Sequence, residues 1–480
     1  MGTDPSNDDD GRHGGGAGAD RISGLPDHLL HTVLLRLPAT ADAARTSVLS
    51  RRWRRVWTHL PDLVLRYSRE PPSRALVVDR IDAALAAHAA PTINRLEIAT
   101  PLGSRDLPAD RVSAWLRVAS QRLAREIRIS LSAYHHVKDE EVVLPQCERA
   151  AYIGFDLKKR ALRFTLPPTG AFDALITMRI RFARVDAREL EEVLSSRCPR
   201  LKDLVLKGVT VQNKSPVVSL RSRSLERLDI HIDIEGQLNV DAPKLQVFYP
   251  CIICDFCILA PKLSVLRWYN LFYDPSRHHI AEAGKHLRRL EIDANSPGSA
   301  LMQRFDTVHE LDLTVNIAKG IQNYKRFLED TKNLTKCEVL VVRVVEIAHT
   351  FEPTMLHLLG KCTSVRKLVV KLSPPTDDNS CEFSLVCPCH WPESSKAQKV
   401  VLGSLEEVEI SDYGHADYKL DLVRLLWRCS ATFQKKVVIT ISEGRRREYT
   451  MKKILSICPP NDKVESTYFN GHKIAQFFSI

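Results

Sequence analysis

No apolar run in this chain approaches the roughly 18 residues that a membrane-spanning helix requires, so no membrane partner is expected. The opening residues 1–20 run acidic and then glycine-rich, without the basic and apolar stretches of a secretory leader. They hold too little apolar surface to order themselves and read as a disordered tail. An intracellular chain, in nucleus or cytoplasm, is the expectation. Catalytic signatures are missing too: no P-loop, no dinucleotide fingerprint between strand and helix, no zinc-protease helix, no kinase set. HGGG at His13–Gly16 has the look of an oxyanion-hole loop, but it lacks a G-x-S-x-G partner and lies in the polar tail. No cysteine stands with histidine and aspartate at a nucleophile spacing.

Paired C-x-x-C motifs at zinc-finger spacing are also absent. Cys251, Cys254 and Cys257 fall in an apolar stretch, and Cys387, Cys389 and His390 lie far along the chain, so buried thiols are expected rather than a zinc site. The 12 cysteines are irregularly spaced, as in a chain with free thiols. The prediction is a non-catalytic protein with no metal and no cofactor.

What the chain does have is bulk. Of its 480 residues 44% are hydrophobic, enough for a large core. Lys and Arg outnumber Asp and Glu by 69 to 58, a net charge of +11. That permits an acidic partner, nucleic acid or phosphorylated peptide. Spread over so long a chain it reads first as an ordinary solvated surface.

From Asp20 the composition changes. Pro26 is placed to start a helix, and Leu29, Leu30, Val33, Leu34 and Leu37 follow at helical spacing until Pro38. A second helix is expected near Thr40, capped by it, with Ala43, Ala44 and Val48. A third, capped by Ser50, carries Trp53, Val56, Trp57 and Leu60 at i, i+3, i+4 and i+7. So small a unit cannot bury all its large apolar residues. Leu25, Pro26, Leu29, Val33 and Leu37 must seek either a partner or the chain downstream.

The segment from Asp20 to Leu63 resembles the F-box of plant F-box proteins: LPDHLL, TSVLSRRWRRVW and LPDL align in order and without gaps. The resemblance implies docking on a Skp adaptor and, through it, on a cullin and a RING protein. It implies adaptor contact by Leu25, Pro26, Leu29, Leu30, Val33, Leu34, Leu37, Val48 and Leu49, with Trp53, Val56 and Trp57 holding the helices together. His28 and Arg36 depart from the usual residues. Arg51 to Arg55, RRWRR, matches a nuclear-import patch but also the polar face of the third helix, the preferred reading.

Beyond residue 66 the pattern apolar-x-x-apolar-x-apolar returns, at Ile93, Leu175, Leu201, Leu225, Leu287, Val308, Val365 and Leu405, with degenerate copies at Leu245, Leu263, Leu123 and Leu334. Neighbouring copies fall mostly about 18 to 31 residues apart, near the roughly 20–29 of leucine-rich repeats. Each strand has side-chain period two, so one set faces a shared core and the other faces out. Stacked repeats build a curved parallel sheet with helices on the convex side, ELEEVLSSRC before Leu201 being one of them. The outward set offers substrate contacts: Asp203, Lys207, Arg227, Asp229, His231, Arg267, Tyr269, Arg289, Glu291 and Asp293, and also Val205, Glu310, Asp312, Lys367 and Lys371. Charge signs alternate along it, without the basic, aromatic stripe of a nucleic-acid binder, and most of these side chains are expected to be solvated.

After a loop between Val370 and Leu405, strands at Leu405–Ile410 and Lys435–Ser442 are expected. Between and after them come helices carrying Leu422, Leu425, Leu426 and Cys429, then Met451, Ile454, Leu455 and Cys458. This tail, with Trp391 and LGSLEEVEI, resembles the FBD domain that ends many plant F-box/leucine-rich-repeat proteins.

The predicted class is therefore α/β, laid out as residues 1–20 tail, 21–65 three-helix F-box, 66–398 leucine-rich-repeat solenoid and 399–480 FBD-like cap. The implied function is substrate recognition for an SCF-type ubiquitin ligase, with an unknown protein as substrate. The rival readings are a scaffold without ubiquitination, or a repeat protein binding nucleic acid or acidic peptide.

Overall fold

The computed structural model describes residues 22, 24–66, 75–100, 109–131, 141–157, 162–167, 169–212, 216–251, 254–269, 272–282, 286–294, 299–317, 321–346, 351–361, 364–372, 400, 402–412, 422–426, 437–442, 464–470 and 473–477. The acidic tail, the CPCHW stretch, Trp391, Cys429 and the helix expected at Met451–Cys458 lie outside them.

The chain begins with a helical unit: α1 (Asp27–Leu34), α2 (Thr40–Arg45) and α3 (Trp53–Val56), the last two each followed by a short 3-10 turn. Its core is its own, built from Leu30, Leu34, Ala43, Trp53, Val56 and Leu60, with Leu25 and Trp57 packed against it. Thr40 does not cap α2; Ala39 occupies that position. The buried Thr40 hydroxyl instead accepts from the Val64 N–H at 2.8 Å, tying the unit to the strand that follows.

A long sheet starts there. Along it run β1 (Asp62–Arg66), β2 (Ile93–Ala99), β3 (Leu123–Ser130), β5 (Tyr152–Asp156), β7 (Thr177–Arg181), β9 (Asp203–Gln212), β11 (Arg227–Asp233) and β13 (Val247–Pro250). It continues through β15 (Val265–Trp268), β17 (Arg289–Asp293), β18 (Glu310–Asn316), β19 (Val339–Glu346), β20 (Lys367–Leu372), β21 (Glu407–Asp412), β22 (Val437–Ser442) and β23 (Val464–Asn470). Each strand pairs in parallel with the next, and the final strand β24 (Lys473–Phe477) turns back antiparallel on β23. The closing LPDL, expected inside the helical unit, runs into β1.

The inward positions of the repeat pattern are buried, as the leucines of Leu201-x-x-Leu204-x-Leu206 illustrate, and they merge into one continuous core from Leu63 to Leu426. Register fixes this, because a slip of one residue would turn every such side chain to the other face. Two degenerate copies are displaced. On β3 the buried residues are Ile127 and Ile129, one position off the phase set by Leu123. On β19 the copy is Cys337, Leu340 and Val342 rather than one starting at Leu334.

Helices were expected along the whole back layer. They occur among the returning segments towards both ends: α4 (Ala75–Ala87), α5 (Ala109–Arg122), α7 (Ser299–Arg304), α8 (Ile321–Asp330) and α9 (Phe351–Lys361). In the middle the returning segments are mostly strands: β4 (Glu141–Val143), β6 (Leu162–Thr165) and β8 (Ala183–Asp186), then a separate sheet of β10 (Val217–Arg221), β12 (Gln237–Asp241), β14 (Phe256–Leu259) and β16 (His278–Ala281). Spacing explains this correction. Leu225, Leu245 and Leu263 are 20 and 18 residues apart, which leaves no room for two helical turns after a strand and two corners. The segments also alternate at period two, with Leu238, Val240, Phe256 and Ile258 all buried. Large aromatics fill the interior here, Phe248 meeting Phe256 at 6.1 Å and Phe256 stacking on His278 at 4.8 Å. The ELEEVLSSRC segment does fold as α6 (Ala187–Glu192), continued by a wider π turn, with Asp186 accepting from the Arg188 and Glu189 N–H groups.

Polar struts fix the helical unit on the sheet. The His88 Nε2 meets the Leu60 carbonyl at 2.8 Å, and Arg122 donates to both His88 Nδ1 (2.9 Å) and the His88 carbonyl (3.0 Å). With a guanidinium donating to Nδ1, the imidazole is neutral with its proton on Nε2. Burial holds its pKa below the ordinary range, the Leu60 carbonyl opposes this, and Arg122 reinforces it. The Ala89 N–H donates to the Thr58 carbonyl and the Asn94 N–H to the Pro61 carbonyl.

Candidate interaction faces

Two surfaces stand out, one on the helical unit and one on the open side of the long sheet. On the helical unit, Leu29 and Val33 lie on the outer side of α1, Val48 ends the 3-10 turn after α2, and Leu49 follows it. Val33 is 52% exposed, Val48 87% and Leu49 65%, large values for apolar side chains. Pro26 and Leu37 are exposed too, and Leu25 is half-buried against the small core. Two of the nine expected contact residues need correction. Leu30 and Leu34 are buried in the unit's interior, because the inner side of a short amphipathic helix must cover Trp53 and Val56. Ile22 and Leu35, not foreseen, are exposed. Leu35 escaped notice because α1 ends at Leu34, and the last part of the apolar run belongs to a turn.

Trp53 and Val56 are core residues and Trp57 packs alongside them. Of the RRWRR arginines, Arg51, Arg54 and Arg55 are exposed, whereas Arg52 pairs with Asp27 and also donates to the Leu25 carbonyl. That arginine holds the Asp27 carboxyl below the usual carboxylate range.

Across the open side, in-register pairing lines up one residue per strand: Val64, Glu97, Arg128, Gly154, Arg179, Val205, Asp229 and Tyr249. Beyond them come Arg267, Glu291, Asp312, Val341, Val369 and Glu409. Most of these side chains were expected to be solvated. They are instead laced together. Lys207 pairs with Asp229 at 2.8 Å, Arg179 with Asp203 at 3.3 Å, and Lys367 with Glu407 at 2.9 Å.

The tightest lacing centres on Glu291 and Asp312. Glu291 is met by Arg267 at 3.0 Å and Arg289 at 2.8 Å, and accepts from the Tyr269 hydroxyl at 3.1 Å. Asp312 is met by Arg289 at 2.9 Å and Arg343 at 2.6 Å. Glu291, a candidate substrate contact, is therefore buried, as are Asp312 and Val205. Long arginines, Arg289 from Glu291's own strand and Arg267 and Arg343 from other strands, fold over the shorter acids and exclude water from them. Burial, with the two carboxylates, raises the Tyr269 phenol, and the hydrogen bond to Asp312 raises Arg343.

Arg227 and His231 are exposed; Asp203, Lys207, Asp229, Arg267, Tyr269, Arg289 and Asp293 are half-buried. The carrier of the contrast is a cleft around Gly154, on strands that the candidate set did not sample. Its lining mixes Arg128, Arg179 and Arg181 with Glu97, Asp156 and Tyr152. The signal for it was present, since TMRIR and REIRIS both put arginine at outward positions.

Cys251 and Cys254, after β13, and Cys257, on β14, are all half-buried. Burial raises the thiols of Cys251 and Cys254, the latter to about 11. Among the described residues no group of three or more metal-ligating side chains converges, and no helix is long and apolar enough to cross a membrane.

Residues 22–65 match the F-box domain family. A putative FBD-associated F-box protein of Arabidopsis thaliana is 29% identical over 429 residues, spanning 88% of this chain and 92% of that protein. An F-box/FBD/LRR-repeat protein of the same plant is 32% identical over 242 residues, 47% of this chain and 54% of that one. A further Arabidopsis F-box protein is 32% identical over 236 residues, 48% of this chain and 69% of its own length.

Proposed function

The chain belongs to the F-box proteins, and from that premise we propose that it is the substrate-recognition subunit of an SCF-type ubiquitin ligase. The observation that carries the reading is the exposed apolar face of the helical unit, centred on Leu29, Val33, Val48 and Leu49, within the segment matched as an F-box. Apolar side chains this open to water are costly to leave uncovered and mark a surface for another protein. The occupant in this reading is a Skp adaptor, which brings a cullin scaffold, its RING protein and a charged conjugating enzyme.

The open side of the sheet holds the protein substrate. No residue of this chain transfers ubiquitin in the mechanism. Tethering substrate lysines beside the charged enzyme raises their effective concentration, and that is the chain's contribution to rate. The struts through His88 and Arg122 keep the docking face in a fixed relation to the sheet, so the substrate is presented in a set orientation. The last strands, β21 to β24, are the FBD region in this reading, and they close the array.

Co-purification with a Skp adaptor tests the proposal. Wild type is expected to bind at low micromolar affinity or better, roughly −8 kcal/mol. Leu29→Asp/Val33→Asp is expected to lose the adaptor while its circular dichroism is unchanged, because both side chains already face solvent. Wild type that retains no adaptor would overturn the reading and leave the helical unit as a cap on β1.

A further inference from the structure

The exposed apolar face of the helical unit has a charged border. Residues 22–61 hold six arginines and two aspartates, with no lysine or glutamate. That is an excess of four positive charges in 40 residues, where the whole chain carries +11 in 480. Both aspartates are engaged within the unit: Asp27 accepts from the Arg52 Nε at 2.9 Å, and Asp42 pairs with Arg45 at 2.6 Å. Arg36, Arg51, Arg54 and Arg55 remain, all exposed and, among the described residues, without a carboxylate. Exposed arginines without a carboxylate also occur along the array, Arg188 on α6 for one. These four differ in their number on one small unit and in their place beside uncovered apolar side chains.

Chain continuity fixes that place. Arg36 stands in the turn after α1 between Leu35 and Leu37, which are 42% and 37% exposed. Arg51 follows Leu49 by two residues, and Arg54 and Arg55 continue on the outer side of α3, whose inner side is Trp53 and Val56. The Arg52 bonds to Asp27 and to the Leu25 carbonyl set the start of α3 against the start of α1. An uncovered apolar centre with charge around it is the layout of a protein–protein interface, whose core is depleted in charge and whose rim is polar. A rim of one sign selects a partner whose own rim carries the other. The same stretch is closed to a receptor that reads a basic segment in extended form, because Arg52 is tied to α1 and Trp53 lies in the unit's core.

Resting on the adaptor reading above, we infer that the adaptor's apolar groove is bordered by carboxylates, and that Arg36, Arg51, Arg54 and Arg55 draw that border in before the apolar contact closes. The arginines set the rate of encounter, and Leu29 and Val33 the lifetime of the complex.

Association of the full chain with a purified, fluorescently labelled Skp adaptor, followed by stopped-flow anisotropy, tests this. The wild-type association rate should fall at least about tenfold as salt rises from about 50 mM to about 500 mM. Arg36→Gln/Arg51→Gln/Arg54→Gln/Arg55→Gln should associate about tenfold more slowly at the lower salt and lose most of the salt dependence, with dissociation little changed. Lysine at the same four positions should keep the rate within about threefold of wild type, since charge does the steering. Arg117→Gln/Arg188→Gln/Arg223→Gln/Arg288→Gln removes the same net charge from exposed positions along the array and should change nothing. Circular dichroism should be unaltered throughout, because every substituted side chain is exposed.

The inference is overturned by a salt-independent wild-type rate, by a border variant that associates as fast as wild type, by a lysine variant as slow as the glutamine one, or by an array variant slowed as much. It is also overturned if the border variant loses nuclear import with its adaptor kinetics unchanged, which would give the arginines to an import receptor. In each of these cases the adaptor is still held and the receptor reading stands. Wild type that binds no adaptor at any salt removes that reading, and this inference with it.

Discussion

Leu29 and Leu30 carry the same side chain, and only the direction of each Cα–Cβ bond on α1 separates them. Leu30 fills the small core beside Trp53, and Leu29 points to solvent. Truncating each should therefore have unlike effects. Leu30→Ala is expected to destabilise the helical unit by about 2–5 kcal/mol, and Leu29→Ala to stay within roughly 0.5 kcal/mol. Amide hydrogen exchange over residues 24–60 checks this, since the unit has its own core and can open apart from the sheet. Faster exchange in Leu29→Ala would mean that Leu29 is structural. The acids behave differently from the leucines. Spacing placed Glu291 and Asp312 on the open face correctly, but period two says only which way a side chain points. Their burial comes from Arg289 on the same strand as Glu291 and from Arg267 and Arg343 reaching across from other strands, and the cross-strand reach is not recorded in any one strand's sequence.

At the scale of elements, the main strands were legible because their inward positions repeat at fixed offsets, and the parallel ladder follows from stacking them. The back layer was not, because an apolar period can be satisfied by helix or strand, and the choice turns on how many residues each repeat has left. The 20- and 18-residue spacings around Leu245 decide for strands. The junction between α4, α5 and the helical unit rests on His88, whose buried imidazole is kept neutral. A histidine with a lowered folded pKa contributes stability that is present above the unfolded value of about 6.5 and is lost as pH falls below it. His278 and His357, lowered chiefly by burial, add in the same direction. The melting temperature is thus expected to drop between about pH 7.5 and pH 5.5. His88→Gln should show a shallower drop, and an unchanged slope would remove His88 from the account.

For the whole molecule, the two ends of the array are handled differently. At the first end β1 pairs, among the described residues, with β2 alone, and the Thr40 hydroxyl of α2 takes up the Val64 N–H. At the other end β24 reverses direction on β23. Cutting the chain after Ser442 would bare the edge of β22, and light scattering should then report aggregation where the full chain stays dispersed. A dispersed truncated chain would mean that β22 needs no cover. A stack of parallel strands has no intrinsic stopping point and resembles a short length of fibre. Helices stand against one end, and at the other a strand of opposite polarity breaks the parallel order. Duplications inserted between those two ends would lengthen the open face from within and leave the helical unit and the reversed last strand in their places.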